Sequence, residues 1–275
     1  MNRRLFTLAL VASTAVAVTF LLLPVVAIFA RVPLGRLVGQ LDDGEVLDAL
    51  AVTARANAIA LAIVIVVGTP AAYLLGTRRF RGRALLLVLV ELPLVLPPAV
   101  AGIGLLAAFG RLGLLGGTLR AFGVSLPFTP AAVVLAVLFV AAPFYVRPAV
   151  AAFESVDSDV IDAARTLGAG PARTFARVAV PLALEGLGAG AALALARGLG
   201  EFGATIIFAG SLQGVTQTLP LAIYAQFEAD FDVALAIGTL FVLVGAVVLL
   251  ALKLAPAWSR FASISPFRAA ASTSG

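Results

Sequence analysis

Few side chains in this chain could perform catalysis or bind a metal. The 275 residues include no Cys and no His, so the usual zinc and haem ligands, disulfides and nucleophilic dyads built on His or Cys are excluded. Lys253 is the single lysine, and no glycine-rich phosphate loop precedes it, so the sequence contains no Walker-type nucleotide site. We expect a protein that is not an enzyme and holds no cofactor or metal of its own.

The charges with the greatest functional potential lie inside apolar stretches. Arg197 and Glu201 are four residues apart, so on a helix they face the same side. Either they neutralise each other and fix helix packing, or they line a path through the membrane, where Arg197 could attract an oxyanion. Glu91 precedes three prolines and could bond the amides of a kinked neighbour or serve in a proton relay. The candidate path residues are Glu91, Pro93, Pro97, Pro98, Arg197, Glu201 and Thr205.

These residues belong to a chain suited to a lipid bilayer. Hydrophobic residues make up 62% of it and charged residues 12%, and the mean hydropathy is +1.12, which does not fit a soluble domain. We predict one all-α membrane domain over residues 1–275, with transmembrane helices near residues 5–30, 56–77, 84–110, 122–146, 182–209 and 233–252. The third of these six spans should be kinked or locally unwound, because each proline removes a backbone donor.

The basic residues predict how the spans are oriented. Of the 19 lysines and arginines, 13 fall on one predicted side and four on the other. The positive-inside rule then predicts a multi-pass protein of the cell membrane with both termini in the cytoplasm. The net charge of +5 is spread over several loops, so we expect no nucleic-acid partner. Residues 31–54 predict an acidic outer loop, and residues 262–275 predict a disordered tail.

The long polar interruption at residues 155–181 predicts a helical elbow. Asp157 is placed to cap a first short helix, Gly168 to end it in a left-handed conformation, and Pro171 to open a second helix. The second helix carries Arg173 and is expected to stop at the end of this range. A sharp basic elbow between membrane spans is a shape that another protein can grip. The apolar residues that recur at helical spacing in the first helix are Val156, Val160, Ala164 and Leu167.

The elbow resembles the cytoplasmic signature of ABC importer permeases, which reads Glu-Ala-Ala, three residues, Gly, nine residues, Ile, one residue, Leu-Pro. The spacing is kept here, with Asp for Glu and valines for Ile and Leu. The resemblance implies the type I importer permease fold, in which this elbow is the coupling helix that lies in a groove of an ATPase. The implied ATPase-coupling residues are Asp162, Ala163, Ala164, Gly168, Arg173, Val178, Val180 and Pro181.

Three further segments narrow the resemblance within roughly residues 49–256. Residues 91–102 (ELPLVLPPAVAG), 197–205 (RGLGEFGAT) and 216–224 (TQTLPLAIY) are similar to molybdate permeases of ABC importers. The resemblance implies a permease subunit that moves molybdate or tungstate inward by alternating access. It also implies a homodimer of this chain, an extracytoplasmic oxyanion-binding protein, and two ATPase subunits that bind ATP and Mg²⁺.

Three alternatives are compatible with the sequence. Sulfate and thiosulfate permeases are related and share the Gly-Glu-aromatic-Gly segment. A proton-driven secondary anion transporter with Glu91, Arg197 and Glu201 as a relay explains the intramembrane charges but not the spacing in the elbow. A membrane anchor that transports nothing explains the elbow but leaves the proline-broken third span without a purpose.

Overall fold

The computed structural model describes residues 3–33, 35, 37, 39 and 43–262, and the regular elements of this part of the chain are helices. A π-helical segment, Phe175–Ala179, joins the eighth helix to the ninth. In chain order the helices are α1 (Arg3–Arg31), α2 (Gly44–Thr77), α3 (Arg83–Val95), α4 (Pro98–Phe109), α5 (Gly116–Ala121), α6 (Pro130–Glu154), α7 (Ser158–Thr166), α8 (Pro171–Thr174), α9 (Val180–Leu199), α10 (Gly203–Ala209), α11 (Leu219–Ala229) and α12 (Phe231–Ala262).

Five helical stretches are long and apolar enough to cross a membrane. They are α1, α2, α6, the continuous run from Pro171 to Leu199, and α12 up to Ala251. Helices α3 and α4 pass the same test together, although they meet at an angle of 115°. Counted as one broken span, this pair brings the number in the described residues to six. The predicted all-α, six-span membrane fold is confirmed in this form.

The second span begins earlier than predicted. Helix α2 starts at Gly44, because the Asp43 carboxylate accepts a 2.8 Å hydrogen bond from the Glu45 amide and caps the helix. Acidic side chains are favourable near the positive end of a helix, so residues that we expected in an outer loop form its first turns. Positions 34, 36, 38 and 40–42 of the predicted loop lie outside the described residues.

The fourth span is shifted toward its C-terminus. Helix α6 begins at Pro130, where the Thr129 hydroxyl caps the first turn, and not at the predicted residue 122. It continues through two internal prolines to Glu154, so Arg147 lies inside the helix and not beyond its end. Helix α6 is the most buried of the five continuous spans, and this packing outweighs the backbone hydrogen bonds that the prolines remove.

The fifth span is broken where we predicted one helix over residues 182–209. Helix α9 ends at Leu199, residues 200–202 are not helical, and α10 is a separate helix of seven residues. The second elbow helix also does not stop at Pro181, because α8, the π segment and α9 form one continuous run. The π turn directly before Pro181 accommodates the gap that a proline leaves in the hydrogen-bond ladder.

Helix α6 lies at the centre of the packing. Helices α2 and α9 cover it, and Tyr145 and Phe153 are the largest buried side chains of the core they share. A second apolar cluster joins α4 and α10 to α6 and includes Phe208. By contrast, α1 has no buried residue. The predicted disordered tail lies outside the described residues beyond Ala262, which is the last residue of α12.

Candidate coupling elbow and translocation path

Three local signals in the sequence build the elbow. The Asp157 carboxylate accepts a 2.9 Å hydrogen bond from the Asp159 amide and caps α7. Gly168 has a φ of +86°, a left-handed conformation that glycine adopts at little cost, and its amide donates to the Arg165 carbonyl over 2.9 Å. Pro171 then begins α8. The predicted cap, turn and helix start are confirmed.

Two neighbouring side chains hold the second part of the elbow in place, Thr174 within the elbow and Phe175 against the membrane spans. Thr174 is fully buried, and its hydroxyl donates to carbonyls of the turn before α8 over 3.2 and 3.3 Å. The Phe175 ring centroid lies 4.9 Å from that of Tyr73 in α2 and 6.4 Å from that of Phe153 in α6. The Phe175 ring therefore packs the elbow directly against α2 and α6.

The far side of the elbow presents charged and apolar groups together. Asp162 Oδ1 lies 3.0 Å from Arg165 Nη1 in an exposed ion pair. Leu167 is 89% exposed at the tip of the elbow, and Val160 is exposed as well. The buried residue of α7 is Ile161, which is 6% exposed and which the helical spacing of the other apolar residues did not single out.

The signature residues divide between these two sides. Those that face outward can contact a partner, whereas those that are half-buried hold the elbow in place. Exposed are Asp162, Ala163, Gly168, Arg173 and Pro181, and half-buried are Ala164, Val178 and Val180.

The breaks in the third and fifth spans lie against each other. A Cβ added to Gly203 would lie 2.8 Å from the Pro98 Cβ, and one added to Gly102 would lie 2.8 Å from the Ile207 Cβ. Glycine at these positions lets α4 and α10 approach this closely. Irregular backbone at membrane depth is tolerated only against protein or a water-filled cavity, and here each of the two breaks lies against the other.

Arg197 and Glu201 form an ion pair at the break of the fifth span. Arg197 Nη2 lies 2.8 Å from Glu201 Oε2, without hydrogen-bond geometry. Glu201 Oε1 accepts a 2.7 Å hydrogen bond from the Ala204 amide in the first turn of α10. The Glu201 side chain is fully buried, whereas 24% of the Arg197 side chain is exposed. Each oxygen of the Glu201 carboxylate therefore has a partner, whereas part of the Arg197 guanidinium remains exposed.

The remaining path candidates are spread over three helices. Thr205 is fully buried in α10, and its hydroxyl has no hydrogen-bond partner among the described residues. Pro97 lies in the break before α4, and Pro93 lies within α3. Glu91 Oε1 lies 3.0 Å from Arg147 Nη1 of α6. The sequence did not predict this partner, because Arg147 was assigned to a loop beyond the fourth span.

A bundle of membrane spans with two facing helix breaks and an anchored, outward-facing elbow defines a polytopic transport permease. In the described part of the chain, no group of three or more acidic side chains could hold a metal ion. The chain belongs to the family of binding-protein-dependent transport system inner membrane components, whose model matches residues 68–255. It is therefore a multi-pass membrane permease.

Individual relatives agree with this family. The chain is 45% identical over 233 residues to the molybdenum transport system permease protein ModB of Mycobacterium tuberculosis, across 85% of this chain and 88% of that protein. It is 34% identical over 210 residues to the sulfate transport system permease protein CysW of Synechococcus elongatus, across 74% and 73% of the two chains. A chain of a bacterial alginate ABC transporter, crystallised with an alginate pentasaccharide-bound periplasmic protein, matches with a TM-score of 0.71 and 16% identity. That match covers 90% of this chain and 92% of the other, and it confirms the ABC permease fold.

Proposed function

We propose that this chain is the permease subunit of an ATP-driven importer that carries molybdate, or its close analogue tungstate, into the cell. The observation that carries the substrate is a difference in similarity, 45% identity to a molybdenum permease against 34% to a sulfate permease. Two of the three segments that resemble molybdate permeases include the helix breaks at residues 96–97 and 200–202. These are the positions past which an oxyanion would move.

The proposed assembly contains two copies of this chain, two ATPase subunits and an extracytoplasmic binding protein. The family description names dependence on a binding protein, and the structural relative was crystallised with a periplasmic protein. A second copy is supported by the exposed Pro97 in the break of the third span and by the partly exposed Arg197, because neither irregular backbone nor a charge can face lipid at low cost. ATP and Mg²⁺ would be bound by the ATPases.

The elbow is the proposed contact with the ATPase. Its outer side combines the exposed Leu167 with Asp162, Arg165 and Arg173, a mixture suited to a helix lying in a groove. Such a contact would put the elbow in the cytoplasm, and the distribution of arginines favours both termini on the same side of the membrane. When the two ATPases close on ATP, the elbows approach each other, and Phe175 carries that movement to α2 and α6.

Arg197 is the proposed transient contact for the anion. Its guanidinium is half of an ion pair and partly exposed, so it can attract an oxyanion without holding it tightly. Conduction requires sites that release as well as bind. Alternating access would open the path outward when the ATPases close and inward after hydrolysis, with the helix breaks as the points where the spans bend.

The three alternative functions are a sulfate or thiosulfate permease, a proton-coupled transporter and a membrane anchor that transports nothing. A sulfate or thiosulfate permease would have the same fold and elbow, so only transport measurements separate it from a molybdate permease. A proton-coupled relay is less well supported, because Glu91 pairs with Arg147 and Glu201 is engaged by Arg197 and by the Ala204 amide, so neither glutamate is a free proton carrier. A membrane anchor without transport does not account for the paired breaks.

Uptake of labelled molybdate tests the proposal. The chain would be reconstituted with its ATPase and binding protein, and excess unlabelled tungstate or sulfate would be added as competitor. We expect ATP-dependent uptake that tungstate blocks and sulfate does not. Block by sulfate would assign the chain to sulfate, and uptake without ATP hydrolysis would contradict the coupling role of the elbow. A complex with a hydrolysis-deficient ATPase is the matched control.

A further inference from the structure

Helix α3 is held to the rest of the chain by very little apolar packing. None of its residues is buried, and α6 is the helix of the described structure that it contacts most. Leu87 and Val90 are the partly buried side chains through which α3 meets the core. Gly82, with a φ of +93°, precedes α3, and the 115° break follows it. Helix α3 is thus a short, weakly packed helix between a left-handed glycine and a sharp bend of the chain.

Two ion pairs flank the apolar contact between α3 and α6. Arg83, the first residue of α3, pairs with Glu154, the last residue of α6. Two turns further along α3, Glu91 lies 3.0 Å from Arg147. Each helix supplies one arginine and one glutamate, so the pairs specify an antiparallel arrangement in one register. A slide of α3 along α6 would separate both pairs and bring like charges toward each other.

The pair at the start of α3 is also tied to the elbow. Arg83 Nε donates a 2.6 Å hydrogen bond to the Leu75 carbonyl of α2. Its partner Glu154 directly precedes Ser155, where the elbow begins. Arg83 therefore connects the ends of three helices at the root of the elbow. The other end of α3 leads to Pro97, in the break that faces the fifth span.

We propose that Arg83, Glu91, Arg147 and Glu154 form a strut that makes α3 follow α6 when the elbow moves. The strut carries that movement to the break at Pro97 and so to the translocation path. Helix α4, on the other side of the break, is fixed by buried residues against α10 and α6, so the angle between α3 and α4 changes instead. This inference rests on the proposed coupling of the elbow to an ATPase, and it assigns positioning roles to four residues outside the signature.

Neutralising the strut tests it through the ratio of uptake to ATP hydrolysis. In the reconstituted complex, Arg83→Gln, Glu91→Gln, Arg147→Gln and Glu154→Gln together should lower the molybdate taken up per ATP by about fivefold or more, the lower end of typical coupling between sites. ATP hydrolysis should continue. The exchange Glu91→Arg with Arg147→Glu keeps the second pair in reverse and should retain most of the coupling. Unchanged coupling in the neutralised variant, or complete loss in the exchanged one, would overturn the strut.

Spin-label distances test the same inference without any substrate. The chain has no native Cys, so Leu86→Cys on α3 and Ala151→Cys on α6, both exposed, give one labelled pair within each copy of the chain. With the strut intact, we expect the distance within a copy to be narrowly distributed and the same with and without ATP, and to broaden when the four residues are neutralised. The two single-Cys variants identify the distances between copies. A nucleotide-dependent distance in the intact chain would overturn the strut. If the wild type fails to import molybdate, the proposed substrate is wrong, but these distances still report on α3.

Discussion

Replacing Gly168 should uncouple the proposed permease without unfolding it. The residue has a φ of +86°, and no atom lies within 4 Å of the position that a Cβ would occupy. A larger side chain therefore meets open space, and the cost comes from the backbone alone. A left-handed conformation costs an L-residue about 1–2 kcal/mol. We expect Gly168→Asn to lose less than this, Gly168→Ala about this much, and Gly168→Val more.

The expected loss of ATPase binding depends on which part of the structure the backbone strain at Gly168 distorts. Gly168 lies between α7 and α8, outside the packed spans, so the penalty acts on the shape of the elbow and leaves insertion into the membrane unchanged. A cost of about 1–2 kcal/mol lowers the population of the native elbow, relative to its alternatives, by a factor of about 5–30. If the ATPase binds only the native shape and that shape is no longer dominant, the apparent affinity falls in proportion to its population.

The assay is a series of variants measured in one reconstituted system. Insertion, ATPase binding and molybdate uptake would be compared for the wild type and the three Gly168 variants. Gly170 supplies the matched control, because it also faces open space but has an ordinary φ of −65°, so Gly170→Ala should behave like the wild type. Equal losses at the two glycines, or wild-type uptake by an inserted Gly168→Val, would refute the reasoning.

Two further experiments probe the paired breaks and the ion pair beside them. Gly102→Ala places a methyl group 2.8 Å from the Ile207 Cβ and should cost about 1–3 kcal/mol by overpacking, measured as a lower unfolding temperature in detergent, while Gly104→Ala, with no atom within 4 Å, should cause no loss. Arg197→Gln leaves the buried Glu201 carboxylate without its ion pair and should cost about 3–5 kcal/mol, and adding Glu201→Gln should restore most of the stability but not the uptake.

Two results would contradict these expectations. Equal unfolding temperatures for the Gly102 and Gly104 variants would mean that α4 and α10 are not in close contact. Full uptake by the double variant at Arg197 and Glu201 would assign the pair to packing alone and remove Arg197 from the path.

Local sequence signals predicted the elbow well because each acts within a few residues. A capping carboxylate, a left-handed glycine and a proline at the first turn impose their conformations on neighbouring backbone. The apolar runs likewise predicted six spans, since crossing a bilayer depends on length and composition. Helix ends were less accurate, because the cap at Asp43 and the packing of α6 extend helices beyond the apolar runs.

The sequence by itself determined a helical membrane protein with an elbow between its fourth and fifth spans. Only the tertiary structure decided which distant residues meet. Pro98 meets Gly203 because two helix breaks face each other, and Glu91 meets Arg147 because α3 lies antiparallel to α6. The physical reason is range: caps, turns and hydrophobic length act along the chain, whereas ion pairs and close helix contacts depend on how whole helices pack in space.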